Sequence, residues 1–229
     1  MAGTRWYEES AMLQLINARP SPYGRKVAIA LHEKGIPFET IFDLPWAEAV
    51  ETKKHSPLEQ LPILLVDDEE SVYDSSFILQ WIETRYPKPA LLPLNPVERL
   101  EALKLQMLGE RLMEVAQALV FESFRPQPSK SMIERATRKI IGGLTEAERL
   151  VGEAPKKGEP VHLGHIALGT TLCVWEFIVK EGMCSAIDAF VWRGRYPHLT
   201  GLVEQLEERP SFKKTRPQKM AVNIAAEVA

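Results

Sequence analysis

The sequence predicts an α+β protein, in which an N-terminal βαβαββα domain is followed by an all-α helical-bundle domain. Strand and helix patterns alternate over residues 12–86, whereas the patterns beyond residue 96 are almost entirely helical. Four prolines within residues 86–96 prevent a helix from continuing between the two parts. We therefore expect a first domain at residues 1–86, a proline-rich linker at 87–96 and a second domain at 97–229.

The first domain begins with a short apolar run at residues 12–17 that is typical of a buried strand. Ser21 is a good N-cap for a helix over residues 21–34, because Pro22 suits the first helical position and Gly35 suits the C-terminal cap. A strand–helix–strand unit implies parallel pairing, and a late hairpin adds antiparallel strands to the same sheet. The remaining predicted elements are a strand at 37–44, a short helix at 46–54, hairpin strands at 62–66 and 71–73, and a helix at 75–85.

The second domain shows helical spacing throughout. The stretch at 162–180 is nearly all apolar, which indicates a buried central helix. Ser131 and Glu134 are available as a capping pair for one of the other helices. The predicted helices span residues 97–124, 129–151, 162–180 and 198–208.

Composition excludes several classes of protein. The 229 residues are 45% hydrophobic and 26% charged, with a net charge of −3, whereas proteins that coat nucleic acid are usually basic. Cys173 and Cys184 are too few for a disulfide scaffold and lie among apolar residues, so we expect two buried free thiols. No targeting segment and no run of about 18 apolar residues is evident. We expect a soluble cytoplasmic protein that binds neither membrane nor nucleic acid.

Charge changes at the same boundary as the structural pattern. Residues 1–86 hold 8 Lys+Arg and 14 Asp+Glu, a net of −6, and the remainder holds 20 and 17, a net of +3. Two solvated surfaces explain this difference, but complementary charge also helps two subunits to associate.

Ser21 follows a predicted strand and begins a predicted helix. The positive end of the helix dipole and free backbone N–H groups make this position suitable for an anion, and the hydroxyl is able to stabilise a thiolate. Helix capping alone is the more common role of such a serine.

Two other loops carry groups that are able to bind a ligand. A cis peptide bond between Leu61 and Pro62 would turn the backbone groups of Leu61 towards an extended peptide, although a proline that begins an edge strand is the ordinary alternative. Asp74 and Ser75 stand at the start of a helix, where they are able to take the ammonium and carboxylate of an amino acid or to form a plain N-cap.

Together these motifs resemble a known family. The segments SPYGRKVAIALHEKGIPFE, HSPLEQLPILLVDD and VYDSSFILQWIETRYP resemble the glutathione-binding half of cytosolic glutathione transferases, which has a thioredoxin-like fold. The segments HLGHIALGTTL and YPHLTGLVEQLEERPSFKKTRP are similar to the family's helical domain. The resemblance covers nearly the whole chain. It favours the serine-type members, which include the plant tau class and a group common in bacteria and fungi.

The resemblance implies roles for individual residues. Ser21 corresponds to the catalytic serine that hydrogen-bonds the glutathione sulfur, and Leu61 and Pro62 to the pair that binds the cysteinyl unit. Asp74 and Ser75 correspond to the pair that holds the γ-glutamyl end. Gln60 and Trp46 correspond to residues that contact the glycine carboxylate.

Some positions depart from the family pattern. Position 21 is serine, which is unable to form the mixed disulfides that a cysteine would form. No early tyrosine has a clear counterpart, since Tyr7 precedes the first strand, and Tyr23 is a fallback beside Ser21. His162 and His165 stand where the family has Ser or Thr and Asp at the start of its central helix. Without further ligands at suitable spacing, a modified helix start is favoured over a metal site, and we expect no metal.

The expected function is transfer of glutathione, a co-substrate rather than a cofactor, to a small hydrophobic electrophile. The alternative is a non-catalytic glutathione-binding or interaction module of the same fold, and isomerase, ether-cleaving and dehalogenating variants stay open. The resemblance also implies a homodimer, and an electrophile pocket where the helix at 97–124 faces the Ser21 end of the first domain. The residues proposed for that pocket are Pro22, Tyr23, Arg111 and Phe124.

Overall fold

The computed structural model describes residues 12–44, 51–66, 70–152, 155, 158–184 and 187–219. The chain divides into two units, Met1–Pro89 and Ala90–Ala229. The first unit contains a mixed sheet, and the described part of the second unit is helical. These findings confirm the predicted α+β class.

A four-stranded sheet forms the centre of the first unit, in the order β2 (Phe38–Phe42), β1 (Leu13–Asn17), β3 (Ile63–Leu65) and β4 (Ser71–Val72). β1 pairs in parallel with β2 and β3 pairs antiparallel with β4, as the sequence predicts, and β1 also pairs antiparallel with β3. The core of the sheet is apolar, since Leu15, Ile16, Ile63 and Leu64 have no exposed surface. The elements of this unit are β1 Leu13–Asn17, α1 Pro22–Glu33, β2 Phe38–Phe42, α2 Thr52–His55, β3 Ile63–Leu65, β4 Ser71–Val72 and α3 Ser75–Arg85.

Helices α1 and α3 pack against each other, and a buried ion pair joins their C-terminal ends. The side chain of Lys34, at the C-cap of α1, is 0% exposed, and its Nζ lies 2.5 Å from Glu83 Oε1 on α3. The same ammonium donates hydrogen bonds to the carbonyl oxygens of Tyr86 at 2.8 Å and Pro89 at 2.7 Å. One lysine therefore holds together α1, α3 and the chain that leaves the unit.

The second unit is built around α6 (Leu163–Lys180), which packs against α4 (Pro96–Ser123) and α7 (Pro197–Glu207). Thirteen of its 18 residues are buried, as predicted for a central helix. α6 is long and apolar enough to cross a membrane, but 72% of it is buried inside the protein, which is the behaviour of a core helix. The elements are α4 Pro96–Ser123, α5 Lys130–Val151, α6 Leu163–Lys180, the 3₁₀ helix Ile187–Phe190, α7 Pro197–Glu207 and α8 Pro210–Lys214.

Gly109 allows α4 and α6 to approach closely. A Cβ atom at this position would lie 2.8 Å from the backbone nitrogen of Leu168, which is closer than two such atoms can pack. The Thr171 hydroxyl uses this proximity to donate a hydrogen bond to the Gly109 carbonyl oxygen at 3.0 Å.

Two expectations for the second unit are wrong. The N-cap of α5 is Ser129 rather than the predicted Ser131, because Ser129 Oγ accepts the Met132 N–H at 3.5 Å while Glu134 pairs with the neighbouring Lys130. The helical series also continues beyond residue 208, since Pro210 begins α8. A proline is compatible with a first helical turn, so it does not end a helical region by itself. Both cysteines are buried free thiols, as expected.

Candidate active site

Ser21 caps α1 directly after the turn that leaves β1. Its Oγ accepts a hydrogen bond from the Gly24 N–H at 3.2 Å, and Pro22 occupies the first helical position. A hydroxyl that accepts through its oxygen still has its proton available to donate. The half-buried Ser21 therefore combines the capping role with a hydroxyl proton that no described residue accepts, at the positive end of the α1 dipole.

Close packing between α1 and β1 fixes the orientation of this helix end. A Cβ atom on Gly24 would lie 1.7 Å from Oδ1 of the buried Asn17 side chain, so no other residue fits there without displacing Asn17. The Asn17 carbonyl oxygen also accepts the Asp43 N–H at 2.9 Å, which joins the ends of β1 and β2.

The Leu61–Pro62 peptide bond is cis, and it leads directly into β3. Pro62 is buried, Leu61 is half-buried and Gln60 is exposed. Within the described residues, neither backbone group of Leu61 is hydrogen-bonded, so both are available to a ligand.

Asp74 caps α3 with one of its two carboxylate oxygens. Oδ1 accepts the N–H groups of Ser76 at 2.9 Å and Phe77 at 3.1 Å, whereas Oδ2 has no partner in the described part of the chain. Ser75 is 4% exposed, and its hydroxyl likewise has no hydrogen bond to a described residue. The pair is thus an N-cap, and it also presents a free carboxylate oxygen and a free hydroxyl.

The sheet register brings these loops to one end of the first unit. Ile16, next to the last residue of β1, pairs with Ile63, the first residue of β3, and β4 runs antiparallel to β3. The segments that follow β2, β1 and β4 and the segment that precedes β3 therefore share one edge. Neighbouring strands lie about 4.8 Å apart, so the ends of β1 and β4, which lead to Ser21 and Asp74, are separated laterally by roughly 10 Å.

Trp46 lies outside the described residues, but the residues on either side of its segment are joined. The carboxylate of Asp43 accepts the Thr52 N–H at 2.7 Å, the Thr52 hydroxyl at 2.5 Å and the Leu44 N–H at 2.8 Å. Burial would raise the pKa of Asp43, but these hydrogen bonds outweigh it and lower that pKa below its ordinary value. An ionised Asp43 therefore joins the end of β2 to Thr52 at the start of α2.

Lys26 is a buried cation beside the start of α3 that the sequence does not predict. It is 2% exposed on the inner face of α1, and its Nζ donates to Ser76 Oγ on α3 at 3.3 Å. The only sequence signal for the burial of Lys26 is its position directly before the apolar run Val27–Leu31, which α1 turns towards the core.

The residues expected to line an electrophile pocket are not grouped together in the second unit. Arg111 is exposed and pairs with Glu114 at 2.8 Å, and Phe124 is half-buried at the C-cap of α4. Thirteen residues of helix separate these two by about 20 Å, so a small electrophile reaches only one of them. In the first unit, Pro22 and Tyr23 lie half-buried in the first turn of α1, beside Ser21.

The two histidines form a capping box. Nδ1 of His162 accepts the His165 N–H at 3.3 Å, Nδ1 of His165 accepts the His162 N–H at 3.5 Å, and the rings stack with centroids 3.5 Å apart. Both rings must be neutral to accept through Nδ1. No group of three potential metal ligands occurs among the described residues. The pair therefore forms a modified start of α6, as expected.

Stability is expected to fall in acid because of this pair. Burial lowers the pKa of His162 to about 4, and burial with the charges of His162 and Arg209 lowers that of His165 to about 3. Below about pH 6.5 the unfolded chain binds protons that the folded chain excludes, so this stabilisation is complete above pH 6.5 and is lost towards pH 4 and 3. The loss is on the order of 2 kcal/mol per histidine at pH 5.

Urea unfolding near pH 7.5 and near pH 5 measures this effect. The double variant His162→Ser/His165→Gln keeps a capping box without titrating in this range, and its stability should change less between the two pH values. The same pH dependence in both proteins would show that the histidines do not cause it.

Comparison with known proteins places these loops in a family context. The model of the glutathione S-transferase N-terminal domain matches residues 20–85. An uncharacterised GST-like protein of Escherichia coli, YibF, is 33% identical over 90% of this chain and its own entire length. A glutathione S-transferase of Methylobacterium radiotolerans, solved in complex with glutathione sulfonate, is 39% identical with a TM-score of 0.83, over 93% of this chain and 98% of that one. Another glutathione S-transferase, from Methylobacillus flagellatus and with glutathione bound, is 26% identical with a TM-score of 0.80. The match covers 90% of this chain and 100% of that one.

Proposed function

Since the chain belongs to the cytosolic glutathione transferase family, we propose that it is a glutathione transferase that ionises the glutathione thiol and directs the thiolate to a small hydrophobic electrophile. The observation that carries the proposal is the common edge of the sheet, where Ser21, Leu61 and Asp74 follow one another in strand order. Along that edge the groups follow the order expected for the thiol, the cysteinyl backbone and the γ-glutamyl end of glutathione.

The chemistry requires a lowered thiol pKa. A free thiol has a pKa near 8.5, so little thiolate exists at neutral pH. The Ser21 hydroxyl donates to the sulfur, and the α1 dipole favours negative charge at the same point. A shift of about 2 units corresponds to about 2.7 kcal/mol of thiolate stabilisation, which these groups are able to supply. The thiol proton leaves to solvent, and the sulfur lone pair then forms the bond to the electrophilic atom. In a substitution the bond to the leaving group breaks and the leaving group departs with that electron pair; in an addition the π electron pair moves to the neighbouring atom, which takes a proton from solvent.

The identity of the electrophile is tested by turnover of a panel of electrophiles with glutathione, together with retention on immobilised glutathione. Retention with turnover of at least one compound supports the proposal. Retention without any turnover would favour the non-catalytic binding module, and absence of retention would contradict both functions.

Removing either half of the Asp74–Ser75 pair is expected to weaken glutathione binding. Asp74 offers Oδ2 to the γ-glutamyl ammonium and Ser75 its hydroxyl to the carboxylate, so each alanine variant leaves one charged group without a partner. A hydrogen bond to a charged group contributes about 1.5–3 kcal/mol, which corresponds to about 10–100-fold in affinity. Titration calorimetry measures the affinity of each variant for glutathione. Unchanged affinity in both variants would refute the assignment of Asp74 and Ser75 to the γ-glutamyl end.

We also propose a homodimer in the cytoplasm. The exposed apolar side chains Val97, Leu100 and Met107 lie on one stripe of α4, and Phe77 on α3 is 59% exposed. Apolar surface of this kind often marks a contact between proteins. In the family a two-fold axis pairs the first domain of one subunit with the second domain of the other, and the charges of −6 and +3 are complementary in that arrangement.

Light scattering is expected to give twice the chain mass of 25.9 kDa. Leu100→Asp places a charge on the stripe and should yield the single-chain mass. The matched control is Met132→Asp on α5, at a residue 53% exposed and outside the stripe, which should leave the mass doubled. A wild-type mass near that of one chain, unchanged by glutathione, would refute the dimer.

A further inference from the structure

We propose that Lys26 is a specificity-determining positioning residue, whose ammonium restricts the first unit to ligands that carry a carboxylate at the α3 end of the site. The inference rests on the proposed function, because the ligand concerned is the γ-glutamyl group of glutathione. It adds a charge requirement to the contacts already assigned to Asp74 and Ser75.

The geometry places a buried cation at the start of a helix. Lys26 Nζ donates to Ser76 Oγ at 3.3 Å, and Ser76 is the second residue of α3. The ammonium also lies 5.8 Å from the centre of the Tyr23 ring, within the range of a cation–π interaction. With 2% of the residue exposed, these contacts hold the ammonium in one place.

The Lys26 ammonium adds to the positive potential that the start of α3 already carries. The N-terminus of a helix carries the equivalent of about +0.5 charge, so it attracts anions and repels an ammonium. The carboxylate of Asp74 offsets part of this through Oδ1, which caps two N–H groups of the helix. Because Lys26 and the dipole of α3 add at one point, a second anion is stabilised there by both.

The groups around this point match an α-amino acid. The Ser75 side chain is buried, its hydroxyl has no partner among the described residues, and the Asp74 cap uses the N–H groups of Ser76 and Phe77 but not that of Ser75. A ligand carboxylate is able to accept hydrogen bonds from the Ser75 hydroxyl and the Ser75 N–H, while Asp74 Oδ2 accepts one from a ligand ammonium. The free end of a γ-glutamyl residue carries a carboxylate and an ammonium on one carbon atom.

The test uses three peptides and titration calorimetry. The first is glutathione. The second, 4-aminobutyryl-Cys-Gly, lacks the carboxylate but keeps the ammonium, and the third, glutaryl-Cys-Gly, keeps the carboxylate but lacks the ammonium. The wild-type protein should prefer glutathione to the second peptide by about 10–100-fold.

Lys26→Met should weaken glutathione and glutaryl-Cys-Gly by about 10-fold and leave 4-aminobutyryl-Cys-Gly within about 2-fold of wild type. Lys26→Arg should restore the preference, and Lys104→Met, an exposed lysine of the second unit, should not change it. Ser76→Ala removes the hydrogen-bond acceptor of the Lys26 ammonium but keeps the charge. It should show a smaller loss of the preference for glutathione over 4-aminobutyryl-Cys-Gly. This variant provides the test if Lys26→Met does not fold.

Equal weakening of all three peptides in the variants would assign Lys26 a merely structural role and overturn the proposal, as would unchanged binding of all three. Failure of the proposed function gives a different result, because the wild-type protein itself would then bind no glutathione.

Discussion

Replacing Ser21 by alanine is expected to lower turnover by about 10²–10³-fold while glutathione affinity changes by less than about 3-fold. The reason is that different residues bind different parts of glutathione. The Ser21 hydroxyl interacts with the sulfur, whereas Asp74, Ser75 and Leu61 bind the rest of the peptide. A donor that acts on developing negative charge contributes to the reaction more than to ground-state binding. Steady-state kinetics with a saturating electrophile and calorimetry with glutathione measure the two quantities.

Ser129→Ala is the matched control for this variant. Ser129 is the N-cap of α5, just as Ser21 is the N-cap of α1, and each caps an N–H three residues later. Both variants should lose about 1 kcal/mol of stability, which is typical of an N-cap, but only Ser21→Ala should lose turnover. Equal activity of Ser21→Ala and wild type would remove Ser21 from the mechanism and direct attention to Tyr23 or to backbone donors.

Replacing Lys34 by alanine is expected to lower the free energy of unfolding by about 3–5 kcal/mol. The variant removes the ammonium that lies 2.5 Å from the Glu83 carboxylate, whose side chain is 8% exposed, and it removes the donor from the carbonyl oxygens of Tyr86 and Pro89. Removing one partner of a buried ion pair destabilises a protein more than replacing both partners by apolar groups does. Urea unfolding monitored by circular dichroism measures the change.

The double variant Lys34→Met/Glu83→Leu separates the ion pair from the packing around it. It removes both charges and retains apolar volume, so it should be more stable than Lys34→Ala. Lys53→Ala is the control, because Lys53 pairs with Glu59 at 3.8 Å on the surface, where such a pair contributes about 0–1 kcal/mol. A loss in Lys34→Ala as small as that in Lys53→Ala would contradict the role assigned to the buried pair.

Local sequence signals predict the fold and the main loops of the site. The strand that ends at Asn17, the serine between two prolines and the glycine at position 35 define α1 at both ends, and α1 forms as predicted. The hairpin pattern after Pro62 predicts the antiparallel strands, and their register brings Leu61 and Asp74 to the edge that holds Ser21.

What the sequence does not predict depends on contacts between distant residues. Lys26 and Lys34 are ordinary helix formers that are usually exposed, and only the packing of α1 against α3, about fifty residues later, buries them. The choice between Ser129 and Ser131 as a cap depends on backbone angles that both sequence positions permit. The five residues of α8 are too few to show a helical period.

The most direct test of the account is the pH titration of the thiol of bound glutathione, followed by the ultraviolet absorbance of the thiolate. In the wild-type protein the thiol pKa should lie about 2 units below the free value of about 8.5, and in Ser21→Ala most of that shift should disappear. A bound thiol that titrates near 8.5 in both proteins would contradict the claim that Ser21 and the N-terminus of α1 ionise glutathione.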